Sequence, residues 1–128
     1  MKRVINVFIS ILLASGWIVF SEFVRNEWLF KRIWENHYQV MGLTYPAEPL
    51  NGVIWGVWSM FMAIFIFVIS RKFSLLSATF LAWFACFVLM WLVVGNLGVL
   101  PLSLLYYAVP LSLLEVFVAT LIIRKISG

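Results

Sequence analysis

FSLLSATFLAWFACFVLMWLVV, residues 73–94, holds no charged side chain across twenty-two positions. A helix rising ~1.5 Å per residue needs about 20 apolar residues to cross ~30 Å of hydrocarbon, and the run has that length. It lacks the period-two alternation of a barrel strand. Helix is also the form that lipid permits, because hydrocarbon offers no partner to a backbone N–H and a helix satisfies its own. Outward from this segment, three more runs have the same character: VINVFISILLASGWIVFSEF at 4–23, NGVIWGVWSMFMAIFIFVIS at 51–70 and PLSLLYYAVPLSLLEVFVATLII at 101–123. The expectation is an all-α fold, a four-helix transmembrane bundle forming one integral-membrane domain over residues 1–128.

Composition agrees. The chain is 65% hydrophobic and 11% charged, with a mean hydropathy of +1.08. Soluble domains keep about a quarter of their residues charged. The net charge of +4 comes from nine Lys/Arg and five acids, all of them glutamate. The cations sit in pairs at the ends of apolar runs, where cytoplasmic anchors belong, and form no basic patch suited to nucleic acid. Cys86 is the lone cysteine, so no intrachain disulfide can form, and it reads as a small buried hydrophobe. The start, MKRVINVFISILLASG, has the outline of a secretory signal, but WIVF continues the apolar run directly and retention as the first span is expected. No GxSxG, HExxH, CxxC or phosphate-binding glycine loop occurs, and there is no aspartate. The expectation is a protein that is not an enzyme and has no cofactor or metal.

Charge also sets orientation. With four spans, Lys2, Arg3, Arg71, Lys72, Arg124 and Lys125 share one side, against Arg25, Lys31 and Arg32 on the other. This asymmetry predicts both termini in the cytoplasm. Trp28, Trp34, Tyr38, Tyr45, Trp55, Trp58, Trp91, Tyr106 and Tyr107 then fall near the outer ends, at the headgroup level that amphipathic rings favour. The connection at 24–50 is long and mixed. Pro46 and Pro49 end any helix there, yet the pattern before Gly42 is helical.

The residues Asn6, Ser10, Ala14, Trp17, Ser21, Arg25, Trp28, Arg32 and Glu35 trace one stripe at helical spacing. The first helix is therefore expected to run on past the membrane or to bend into an interfacial amphipathic segment between helices 1 and 2. Glu22 with Arg25, Glu27 with Lys31 and Lys31 with Glu35 are spaced to pair. Such a segment is either a charged lid over the bundle mouth or a solvated surface helix. His37, the only histidine, has no second ligand nearby for a metal and reads as a surface loop residue.

The stretch LFKRIWENHYQVMGLT, residues 29–44, follows one span and precedes three more. Its Leu29-Phe30, Lys31 or Arg32, Trp34 and Gly42-Leu43 resemble the pattern of a family of small bacterial integral-membrane proteins of unknown function. The resemblance implies a four-span topology in a bacterial cytoplasmic membrane and implies no activity.

Helix faces rich in small residues come next. Gly52, Gly56, Ser59 and Ala63 share one face of the second span; Ser74, Ala78, Ala82 and Ala85 share one of the third; Ala108, Ser112, Glu115 and Ala119 share one of the fourth. In lipid, close backbone approach at small residues supplies packing that apolar contact alone does not. Packing within one bundle is expected, with a homo-oligomer seam as the alternative.

Glu115 is the outlier on those faces. It lies ~13 Å along its helix from Arg124, too far for easy snorkelling, and an ionised acid at such depth costs at least ~2.5–3.5 kcal/mol. It can carry a proton, accept hydrogen bonds from hydroxyls on neighbouring helices, or face water in a cavity. Pro110 frees the carbonyl of Tyr106 and bends the helix, which could open a polar pocket at Ser112 and Glu115. Glu22 and Arg25 complete the intramembrane polar set. The function expected is binding of a lipid, a small amphiphile or a membrane partner. The alternative is a small proton-coupled transporter or channel that uses Glu115 or Glu22.

Overall fold

Four helices are long and apolar enough to cross a membrane: α1, Lys2–Leu29; α3, Pro49–Ser70; α4, Leu75–Asn96; and α5, Leu102–Ser127. A shorter helix, α2, covers Lys31–Val40 between the first two. The computed structural model describes all residues from 1 to 128, and the chain contains no strand.

The helix ends follow from local chemistry. Pro49 opens α3, and Glu48 and Asn51 cap it reciprocally, with the Glu48 N–H donating to Asn51 Oδ1 at 2.8 Å. Ser74 caps α4 by accepting from the Ser77 N–H at 3.2 Å. α2 and α4 end alike. Gly42 and Gly98 take φ of 73° and 76°, and the N–H groups of Leu43 and Val99 reach back to Tyr38 and Val94. Only glycine enters that left-handed region without steric cost. At the opposite end, Arg124 Nη1 donates to the carbonyls of Ser70 and Phe73 at 3.1 and 2.8 Å, tying the end of α5 to the Arg71-Lys72 turn.

Helix α5 touches α1, α3 and α4, and α3 bridges α1 and α4. The main core joins Ala14, Ile18, Ala63, Ile66, Val116 and Ala119, among others, where small side chains let backbones come close. Ser59, Ala78, Ala82 and Ala108 are buried on their packing faces as well. Four interior hydroxyls, those of Ser10, Ser59, Thr79 and Thr120, bond back to carbonyls one turn earlier. The outward faces are apolar, with Phe8, Leu12, Phe20, Phe61, Phe80 and Leu92 each more than half exposed.

Two changes of pitch redirect side chains. Residues Val24–Leu29 of α1 and Phe84–Val88 of α4 form π turns, each carrying an extra residue per turn. The single stripe expected from Asn6 to Glu35 is therefore broken. Of its residues Ser10, Ala14 and Arg25 point inward, but Trp28 is 77% exposed, and the chain kinks at Phe30 before α2 begins. In α4 the wider turn carries the inward face from Ala82 to Phe87. Ala85, expected on the packing face, is instead exposed.

Gly52 and Gly56 also depart from expectation. Gly52 is exposed and Gly56 half-buried, and a Cβ added at either would meet nothing within 4 Å. Asn51, Ile54, Trp55 and Trp58 of the same stretch face a cavity, so this end of α3 stands off from its neighbours. Lys31 pairs with Glu27 at 3.7 Å and not with Glu35. His37 lies within α2, where its Nε2 stands 2.7 Å from the Gly98 carbonyl and fastens α2 to the loop after α4.

Candidate functional site

The π turn of α1 brings both Arg25 and Asn26 to the interior, one turn beyond Glu22, and all three are buried. Glu22 is fully partnered. Its Oε1 pairs with Arg25 Nη2, and its Oε2 accepts from Asn26 Nδ2 at 2.9 Å. Asn26 Oδ1 in turn accepts from Trp34 Nε1 of α2 at 3.0 Å. A relay of polar contacts thus runs from α2 into the middle of the bundle.

Across from it on α5 stands Glu115, 0% exposed. Its Oε1 lies 3.9 Å from Arg25 Nη1, close enough for Coulomb attraction and too far for a hydrogen bond. Neither Glu115 carboxyl oxygen nor Arg25 Nη1 has a hydrogen-bond partner. The Phe87 ring centroid stands 5.3 Å from the Arg25 guanidinium carbon, a cation–π contact. Trp17 Nε1 donates to the Glu115 backbone carbonyl at 2.9 Å, which locks α1 to α5 at this level.

The two acids are unequal. Taking an ion out of water costs several kcal/mol, offset only by close pairing and added hydrogen bonds. Glu22 has both, whereas Glu115 has a distant share of a guanidinium already engaged. With both carboxylates ionised, the trio carries one surplus negative charge, which a proton or a nearby cation would cancel.

The structure brings together Glu22, Arg25 and Glu115, but not Ser112. Ser112 Oγ accepts from Trp83 Nε1 at 2.9 Å and donates to the Val109 carbonyl at 3.0 Å, so its bonding is complete away from Glu115. Pro110 lies on the exposed side of α5. Neither Ser112 nor Glu115 lines the main cavity.

That cavity, about 410 Å³, opens farther toward the α2 end. Glu22, Arg25 and Asn26 contribute its polar groups from α1, and Trp55, Trp58, Phe87 and Trp91 supply one wall. Trp34, Tyr38 and Tyr45 close it from the α2 side. Tyr45 stacks on Trp34 with centroids 5.8 Å apart and meets Tyr38 edge-on at 5.3 Å. Phe30 stacks on Tyr107 at 5.6 Å and anchors the start of α2 against α5. Burial pushes the Tyr45 phenol up to about 12, and the charges of Glu27, Glu22 and Glu35 act in the same direction.

Sequence reasoning placed these aromatics at a membrane boundary and missed that they converge on one space. Asn26 was missed too, although its position four residues after Glu22 and beside Arg25 was a usable signal. No cluster of three or more His, Cys, Asp or Glu side chains is placed to hold a metal ion. No family model, curated protein or solved structure matches the chain.

Proposed function

We propose that this chain is a four-helix integral-membrane protein that binds a small amphiphile, lipid or otherwise, in the aromatic cavity. Both termini face the cytoplasm, and α2 lies at the outer interface as the cavity's cover. The membrane part of the proposal is supported by an inside-out distribution of side chains. Phenylalanine and leucine face outward while Glu22, Arg25 and Glu115 are buried, the reverse of what water favours. Binding is supported above all by the cavity, a mostly apolar space of about 410 Å³ with a few polar groups at its inner end. That is the usual make-up of a small-molecule site. A binding role is favoured over catalysis because no nucleophile–base pair lines it.

The test is native mass spectrometry on protein released from its host membrane. Wild type should retain a bound molecule small enough for the cavity. Ala108→Phe, which fills the inner end, should lose it while staying folded. Wild type with no retained molecule and no amphiphile-induced rise in melting temperature would remove the proposal.

A second function is favoured by one observation, the unpartnered Glu115 carboxyl in contact with Arg25. It is proton-coupled transport with Glu115 as the titrating group. In liposomes, wild type should then show flux driven by a pH gradient, and Glu115→Gln should not. Absence of gradient-dependent flux in wild type would exclude it.

A further inference from the structure

The end of the bundle opposite α2 carries side-chain charge of one sign. Lys2 and Arg3 open α1, Arg71 and Lys72 form the turn after α3, and Arg124 and Lys125 lie in the last turn of α5. The three ion pairs of the protein all involve Arg25 or Lys31, so none of these six cations meets a carboxylate. Where α3 and α5 end, a cleft of about 270 Å³ is lined by Ser70, Arg71, Arg124, Ser127 and Gly128, with no apolar side chain and no glutamate. Arg124 is fixed there by the bonds from Nη1 to the Ser70 and Phe73 carbonyls, and its Nη2 and Nε are left without a partner. The Arg71 guanidinium carbon stands 5.7 Å from the Phe67 ring centroid, a contact that holds this side chain against α3. The Ser70 hydroxyl has no hydrogen-bond partner. A carboxylate counted at Gly128 would balance one guanidinium and leave the other, with Lys72 and Lys125 adjoining in sequence.

We propose that this cleft holds the phosphate group of an anionic phospholipid, with the Arg71 and Arg124 guanidiniums as its donors. A guanidinium presents paired N–H groups that match phosphate oxygens. The rest of the headgroup decides between lipids. A zwitterionic lipid carries an ammonium beside its phosphate, which the surrounding cations oppose; an anionic headgroup such as phosphoglycerol carries none. A free phosphate ester shares the phosphate chemistry. Position favours the lipid, because the cleft lies where two apolar helices of membrane length end. The inference rests on the membrane-spanning part of the function proposed above. It is independent of the aromatic cavity, with which the cleft shares no residue.

The experiment is native mass spectrometry of the full chain, delipidated in a neutral detergent and offered equal amounts of dioleoyl phosphatidylglycerol and dioleoyl phosphatidylcholine. Wild type should retain the anionic lipid about tenfold over the zwitterionic one, as expected for a phosphate held by two guanidiniums. Arg71→Gln should cut that preference about fivefold, and Arg3→Gln, which removes the same charge at the same end but outside the cleft, should change it less than about twofold. Arg71 forms no ion pair, so its variant should keep the lipid-free melting temperature. Ala108→Phe should leave the preference intact. Glycerol 3-phosphate in about hundredfold excess should not displace the lipid, whose chains add apolar contact. Equal retention of the two lipids by wild type, or equal losses in Arg71→Gln and Arg3→Gln, would overturn the proposal. Loss of the preference in Ala108→Phe would place the lipid in the aromatic cavity, so the cleft proposal would fail while amphiphile binding stands. Displacement by glycerol 3-phosphate would make the site one for free phosphate esters and overturn the lipid assignment.

Discussion

At Arg25 one side chain answers to two acids. It pairs directly with Glu22, approaches Glu115 and rests on the Phe87 ring, so its removal would strand the buried Glu22 carboxylate. Arg25→Gln should destabilise the fold by about 3–5 kcal/mol, the usual cost of breaking a buried pair from one side. Adding Glu22→Gln should restore part of that loss, because two neutral amides can bond where an unpaired carboxylate cannot. Thermal unfolding of the single and double variants in detergent gives the comparison, and simple additivity would mean the two side chains are not coupled. Glu22, Arg25 and Glu115 were all legible as candidates, since each is an ionisable residue in an apolar setting. Their grouping was not. Ser112 seemed the natural neighbour of Glu115 at helical spacing, yet an indole from α4 claims its hydroxyl.

At the level of the helix, pitch decides which way a side chain points. The π turn at Phe84–Val88 leaves Ala82 at the interface and turns Ala85 outward. Ala82→Leu should therefore cost about 1–3 kcal/mol by overpacking, and Ala85→Leu close to nothing. Melting temperatures of the two variants test this, and equal losses would indicate an unbroken α-helical face. On α3, Gly52 and Gly56 have open space where a Cβ would go. Gly52→Ala and Gly56→Ala should stabilise an isolated chain by about 0.5–1 kcal/mol through helix propensity. Should either variant instead disrupt an oligomer in size-exclusion chromatography with light scattering, that face is a seam between copies. Small-residue patterning was legible here, but a periodic wheel assumes constant pitch, and a π turn violates that assumption without an obvious sequence mark.

For the molecule as a whole, the proposed orientation rests on the unequal distribution of lysine and arginine. Lys72 sits in the turn beside the C-terminal end of α5. With Cys86 replaced by alanine, Lys72→Cys should react with a membrane-impermeant maleimide only after the cytoplasmic face is opened. Labelling of intact cells from outside would invert the proposed topology. The cavity is also a property of the whole, because its lining comes from every helix and two connecting segments.

The number and approximate positions of the four long apolar helices, and the presence of costly ionisable groups among apolar residues, could be read from the chain alone. These depend on local periodicity and run length, and on the cost of placing charge among apolar side chains. Three things waited for packing: which acid meets Arg25, where the aromatic rings leave a space, and how the π turns redirect α1 and α4. Each depends on side chains far apart in sequence competing for the same partners and the same volume, and no local pattern records the outcome of that competition.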